Sequence, residues 1–153
     1  MSNKKINITG LKETNDPFYR YQMRKLDVVS QRNTTAIKNI QEVADDLNID
    51  YNILIKYFKK VFGINFVFKK GILTTTKNIN YKEFEDNLKI FIEYFVLCQQ
   101  CRLPEIDIVI ENKKVYFKCR SCPHTINIVD VSSINKNKII VDTINDIQNY
   151  LNK

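Results

Sequence analysis

The chain has 153 residues, 44% of them hydrophobic and 27% charged, with only three glycines and three prolines. That is enough apolar material for a packed core, and too little Gly and Pro for a fibrous or low-complexity class. No apolar run reaches the roughly 18 residues of a membrane-spanning helix, and no apolar stretch follows the charged N-terminus as in a secretory signal, so neither is expected. The formal net charge of +7 points to a nucleic acid or an acidic protein face as partner.

In chain order, residues 1–16 are polar without a sustained period and read as a mobile N-terminal tail. Pro17-Phe18-Tyr19-Arg20-Tyr21-Gln22-Met23 follows, aromatic in a polar neighbourhood. Leu26 to Val29 and Thr34 to Lys38 suit strands. Asn39 with Glu42 three residues on fits a capping box, and Ile40, Val43, Ala44 and Leu47 then share one helix face. A second helix starts after Asp50, buries Ile53, Leu54, Tyr57, Phe58 and Val61, and stops at Gly63. Ile64 to Phe68 and Gly71 to Thr75 read as a hairpin around Lys69-Lys70. Asn80 and Glu83 repeat the capping-box pattern ahead of Phe84, Leu88, Phe91, Ile92 and Phe95 at helical spacing, and this helix runs into Cys98.

Two tight pairs follow, Cys98-Gln99-Gln100-Cys101 and Cys119-Arg120-Ser121-Cys122, separated by 17 residues. This spacing is the signature of a tetrahedral four-thiolate zinc site, and the set uses every cysteine of the chain. Four thiolates leave no open coordination position, so the metal is expected to be structural. Between and after the pairs, Ile106, Ile108 and Ile110 alternate with polar residues, Val115 and Phe117 do the same, Asn112-Lys113 suits a turn, and Thr125 to Val129 suits a third strand. The pattern is a zinc ribbon. Ile140, Ile144, Ile147 and Leu151 then line an amphipathic C-terminal helix. The expected fold class is α+β: a mixed α/β core over 17–96, a four-cysteine ribbon over 97–130, and a linker with terminal helix over 131–153.

Glycine loops for phosphates, nucleophile elbows and metalloprotease motifs are absent from the sequence, so a free-standing enzyme is not expected. His124, the single histidine, reads as a surface residue of the ribbon. Arg102, Lys118 and Arg120 flank the cysteines, where they can offset the thiolate charge or face RNA phosphates. Lys56, Lys59 and Lys60, with Lys69 and Lys70, are either a solvated face or a phosphate-contacting stripe. Tyr19 and Tyr21 can dock on the core or stack on single-stranded RNA. Arg20 between them is either solvated or presented to a phosphate, where a guanidinium stabilises charge developing in phosphoryl transfer.

Taken together, Asp16 to Met23, Ile37-Lys38-Asn39, Lys56-Tyr57-Phe58, Phe95 to Glu105 and Cys119-Arg120-Ser121-Cys122 resemble a known family. Roughly residues 16–130 resemble the N-terminal domain of eukaryotic translation initiation factor five, itself similar to the core and zinc ribbon of the beta subunit of translation initiation factor two. The aromatic-arginine segment favours factor five, whereas Val115-Tyr116-Phe117-Lys118-Cys119 reads closer to the beta subunit. The resemblance implies a cytoplasmic factor, monomeric outside its complex, with structural zinc. It implies as partners the GTP-binding factor two with its gamma subunit, the initiator transfer RNA and the small ribosomal subunit. It also implies that Arg20 stimulates GTP hydrolysis in trans, and it aligns Lys56 with a lysine tied to that role. Departures are Thr34 where the family has a basic residue, with Arg32 and Lys38 only nearby, and Pro123 where a glycine is usual. Thr34 keeps open a binding module or decoy without GTPase stimulation. Set apart from the resemblance, basic charge and a ribbon also permit a nucleic-acid-binding protein of transcription.

Overall fold

The computed structural model describes residues 5–8, 22–112, 114–123, 125–127 and 138–151. Its first two strands, β1 (Lys5–Asn7) and β2 (Gln22–Arg24), pair antiparallel with Ile6 opposite Met23. The expectation of a mobile tail over 1–16 therefore fails at its middle: Ile6 and Ile8 are buried in the core. Two isoleucines two residues apart are too short a period to stand out, and their partner strand lies well downstream.

Two hairpins build a four-stranded antiparallel sheet. They are β3 (Val28–Gln31) with β4 (Thr34–Ile37), and β5 (Val67–Lys69) with β6 (Ile72–Thr75), in the order β3-β4-β6-β5. Both turns use left-handed residues: Asn33 at φ 59, and Lys70 with Gly71 at φ 53 and 79. One sheet face is buried through Ile37 and Leu73, with Thr35 and Thr75 beside them. These two buried hydroxyls are satisfied. Thr35 Oγ1 donates to the Lys77 carbonyl (2.7 Å) and accepts from the Ile79 amide (2.8 Å), and Thr75 Oγ1 donates to the Asn65 carbonyl (2.9 Å).

Between the hairpins lie α1 (Ile40–Asp46) and α2 (Tyr51–Phe62). Asn39 occupies the N-cap of α1 but makes no side-chain cap there, contrary to the capping-box reading. Its amide instead accepts from the Asp27 amide (2.8 Å) and donates to the Lys25 carbonyl (2.9 Å), stitching the β2–β3 link to α1. Helix α2 starts as expected: the Asp50 side chain accepts from the Asn52 amide (2.8 Å), and Gly63 ends it at φ 63. Ile53, Leu54 and Ile55 are all buried, so α2 is covered on more than one side, and Val61 is only half-buried.

Helix α3 (Tyr81–Phe95) has the complete capping box, with Asn80 accepting from the Glu83 amide (3.0 Å) and Glu83 accepting from the Asn80 amide (3.1 Å). Phe58, Phe62, Phe66 and Phe84 form an aromatic cluster where α2 faces α3. A line of rings then runs from Tyr57 through Phe91 and Phe95 to Phe117, at centroid separations of 5.0, 5.0 and 6.2 Å. The Tyr57 hydroxyl meets the Asn87 carbonyl at 2.7 Å, so its burial leaves no unmet donor.

Phe117 belongs to the second sheet: β7 (Ile106–Glu111), β8 (Lys114–Cys119) and β9 (Thr125–Asn127), antiparallel in the order β7-β8-β9. Ile106, Val115 and Phe117 are buried in the same core as α2 and α3. The last element, α4 (Lys138–Leu151), buries Ile140, Thr143, Ile144 and Ile147 and packs on α2 and β8. Thr143 satisfies its hydroxyl by donating to the Ile139 carbonyl one turn back (2.7 Å). The architecture is a mixed α/β core, a four-cysteine ribbon and a terminal helix. Among the described residues, no helix is long and apolar enough to cross a membrane.

Candidate functional site

The four cysteines converge because the chain turns sharply on either side of them. Helix α3 ends at Phe95, which delivers Cys98 into the core, fully buried. The Cys98 amide then donates to the Leu103 carbonyl and the Arg102 amide donates back to the Cys98 carbonyl, both at 2.9 Å. Closing this loop puts Arg102 at φ 64, a conformation that glycine would adopt at less cost. The second pair is brought in by strand register: Cys119 lies opposite Ile106, and the Arg120 amide donates to the Glu105 carbonyl (2.8 Å).

The result is four Sγ atoms within 4.8 Å of one another, with Cys98 to Cys122 and Cys101 to Cys119 each at 3.6 Å. A zinc ion with thiolates at about 2.3 Å needs tetrahedral edges of about 3.8 Å, which these separations fit. A disulfide would need about 2.05 Å, well short of either separation. Backbone amides already point at sulfur: Gln100 to Cys98, and Ser121 and Cys122 to Cys119, each at 3.4 Å. The Cys98 thiol is pushed down to about 7. Burial opposes this, but the backbone N–H groups of Cys101 and Gln100 and the neighbouring Cys122 and Cys101 thiols outweigh it. The group therefore suits a thiophilic, tetrahedral cation such as zinc.

The cations flanking the cysteines are each met by a carboxylate. Arg102 pairs with Glu93, and Lys118 with Glu111. Arg120 reaches Glu105 (3.2 Å) and Asp107 (3.4 Å). These pairs knit the ribbon to α3 and to itself.

The cations of the core are distributed differently. Lys56, half-buried, and Lys59, exposed, line a groove of about 490 Å³ with Lys60, Asn65 and Asp146. Asp146 comes from α4 and pairs with Lys60 at 3.1 Å, a partner no local pattern could reveal. Arg32 lies in the β3–β4 turn and Lys38 just beyond β4, both exposed. The register of β4 against β6 puts Lys38 at the same sheet end as Lys69 and Lys70, and Arg32 at the opposite end with Lys77. No carboxylate occurs in residues 28–41 or 51–82, so the four-stranded sheet and its turns carry only positive formal charge. Thr34, exposed, opens β4 beside the turn. Tyr19, Arg20 and Tyr21 lie outside the described residues, as does His124.

The sequence reading missed Asn48. At φ 58 it follows α1 as a left-handed terminator, a role Asn commonly fills, but its Nδ2 also donates to the Ile106 carbonyl (3.1 Å) and to Asp107 Oδ1 (2.8 Å). It thereby ties the core to the first ribbon strand.

The family model for the domain found in initiation factors 2B and 5 matches residues 11–125, taking in both the core and the cysteine ribbon. Translation initiation factor 2 subunit beta of Methanopyrus kandleri is 33% identical over 103 residues, covering 67% of this chain and 75% of that protein. The same subunit of Nanoarchaeum equitans is 30% identical over 92 residues, covering 60% of this chain and 66% of that protein. Eukaryotic translation initiation factor 5 of Caenorhabditis elegans is 34% identical over 113 residues, covering 70% of this chain and 26% of that protein. The chain thus spans about two thirds to three quarters of these archaeal subunits and about a quarter of the worm factor. Matched along its core and its ribbon alike, the chain belongs to the translation initiation factor family defined by this shared domain.

Proposed function

We propose that this protein is a cytoplasmic translation initiation factor module that binds the pre-initiation complex. It would hold the GTP-binding factor two through its gamma subunit, together with initiator transfer RNA and the small ribosomal subunit. The family match carries this reading. The sheet without carboxylates supports it: Arg32, Lys38, Lys69, Lys70 and Lys77 offer cations to an RNA backbone with no internal anion to repel it. Lys56 and Lys59 add a second cationic surface, less free because Asp146 stands in the same groove. Arg102, Lys118 and Arg120 are weaker RNA candidates, because carboxylates already answer them. The cysteine geometry supports one structural zinc ion, held by Cys98, Cys101, Cys119 and Cys122, which when bound would supply folding energy to the ribbon. Family membership sets the transcription reading aside.

Arg20 is the candidate arginine finger, and Tyr19 and Tyr21 its aromatic flanks. The test is GTP hydrolysis by factor two in assembled initiation complexes, with wild type and Arg20→Ala. An arginine finger contributes about 10³–10⁵ in rate, so equal rates would remove the role.

A beta-subunit-like module without GTPase stimulation is the second reading. It is favoured by Thr34 at the family's basic position. Co-purification with the gamma subunit at unaltered hydrolysis would support it. Failure to associate with any initiation component would sink both readings.

A further inference from the structure

We infer that α4 is a clamp that locks the cysteine ribbon to the core. The helix begins at Lys138, past the end of the family match at residue 125. It is seated on both partners at once, touching α2 of the core and β8 of the ribbon. Its apolar face is committed to that seat through Ile140, Ile144 and Ile147, all buried. Polar anchors fix it along α2: Asp146 pairs with Lys60 at 3.1 Å, and the Tyr150 hydroxyl donates to Asp50 Oδ2 at 2.7 Å.

Connectivity makes this seat consequential. The chain enters the ribbon from α3 and, after leaving it, returns as α4. Both elements flanking the ribbon in sequence are packed in the core, and moving the ribbon away from it would break the contact of α4 with β8. The junction closes from a third side as well, where Asn48 bonds to Ile106 and Asp107. A cavity of about 350 Å³ marks the meeting point, lined by Asp50 and Ile53 of the core, Ile108 and Val109 of the ribbon, and Tyr150 and Leu151 of α4. The clamp adds a second hold to the one that Ile106, Val115 and Phe117 already give the ribbon in the core. It also carries Asp146 into the lysine groove, so release of α4 would free Lys60.

The clamp is a property of the free chain, whatever its surfaces bind. Its test begins with ¹⁵N relaxation on the zinc-loaded full chain. Amides of β7 and β8 are expected to share one rotational correlation time with those of α2 and α3, and two separate correlation times would overturn the clamp. Ile144→Ser with Ile147→Ser should release it, with α4 amide exchange about tenfold faster or more and ribbon relaxation parting from that of the core. Should that variant lose its core circular dichroism, Asp146→Asn with Tyr150→Phe removes only the polar anchors. Faster α4 exchange with a ribbon that begins to move independently supports the clamp. Faster α4 exchange with a ribbon still tumbling as one with the core overturns it, and unchanged α4 exchange overturns the two contacts as its anchors.

Discussion

Tyr150 in the last turn of α4 donates its hydroxyl to the Oδ2 of Asp50, the residue that caps α2, across 100 positions of sequence. Asp50 thus uses one carboxylate oxygen for the Asn52 amide and the other for Tyr150. The carboxylate holds the Tyr150 hydroxyl above the ordinary tyrosine range, because the protonated form is the one that donates. A raised value in the folded state means that the contact contributes fully below the unfolded tyrosine pKa of about 10 and is lost as pH rises through the folded value. A phenolate-absorbance titration of wild type against Tyr150→Phe should therefore show one late-titrating tyrosine missing in the variant. Loss of a tyrosine that titrates in the ordinary range instead would place Tyr150 in water.

Asn48 has two roles, backbone and side chain, that can be separated. Asn48→Gly keeps the left-handed backbone cheaply and removes both bonds to the ribbon. Asn48→Ala removes the same bonds and adds a left-handed penalty of roughly 1–2 kcal/mol. Urea midpoints should fall in the order wild type, Gly, Ala, and exchange at the β7 start should rise in both variants. Equal stability of the Gly and Ala variants would mean that the turn relaxes.

Zinc content should be one ion per chain by elemental analysis, and should drop with Cys122→Ser. Chelation is expected to release the ion and increase exchange across β7, β8 and β9, since the ribbon's own apolar residues are few. Because Val115 and Phe117 lie in the shared core, α3 should loosen as well. A metal-free chain with unaltered exchange would show that the thiols serve packing alone.

The cationic sheet predicts a particular salt dependence. If Lys38, Lys69 and Lys70 contact phosphates, each Lys→Ala change should lower the slope of log affinity against log salt by about one, with little preference for RNA sequence. Arg102→Ala should change the slope less, because Glu93 already pairs with that guanidinium. Equal effects at all four positions would contradict this division.

What was legible in the sequence was what depends on near neighbours. The two cysteine pairs, the Asn80–Glu83 capping box and the Gly63 stop each need only a few residues of context, and the structure has all three. Asn39 shows where that logic ends. Its spacing to Glu42 matched a capping box, yet the amides and carbonyls of the β2–β3 link offered its side chain better partners. Ile6 and Ile8 failed for a related reason, since a three-residue strand means little until its mate is known. The amphipathic stripe of α4 was plain, but its seat was not, because Lys60 and Asp146 lie far apart in the chain. At the candidate site, the ligand set was readable from spacing alone. The carboxylates answering Arg102, Lys118 and Arg120 were not, since the strand register and the return of α3 place them there.

The ring line ending at Phe117 has a thermodynamic consequence. If burial of Ile106, Val115 and Phe117 in the core makes the two modules unfold together, a ligand of one is felt by both. With zinc bound only to the folded ribbon, the melting point of the whole chain becomes a gauge of free zinc. Metal at a hundredfold over its dissociation constant would add about 2.7 kcal/mol to the stability of helices that never touch it.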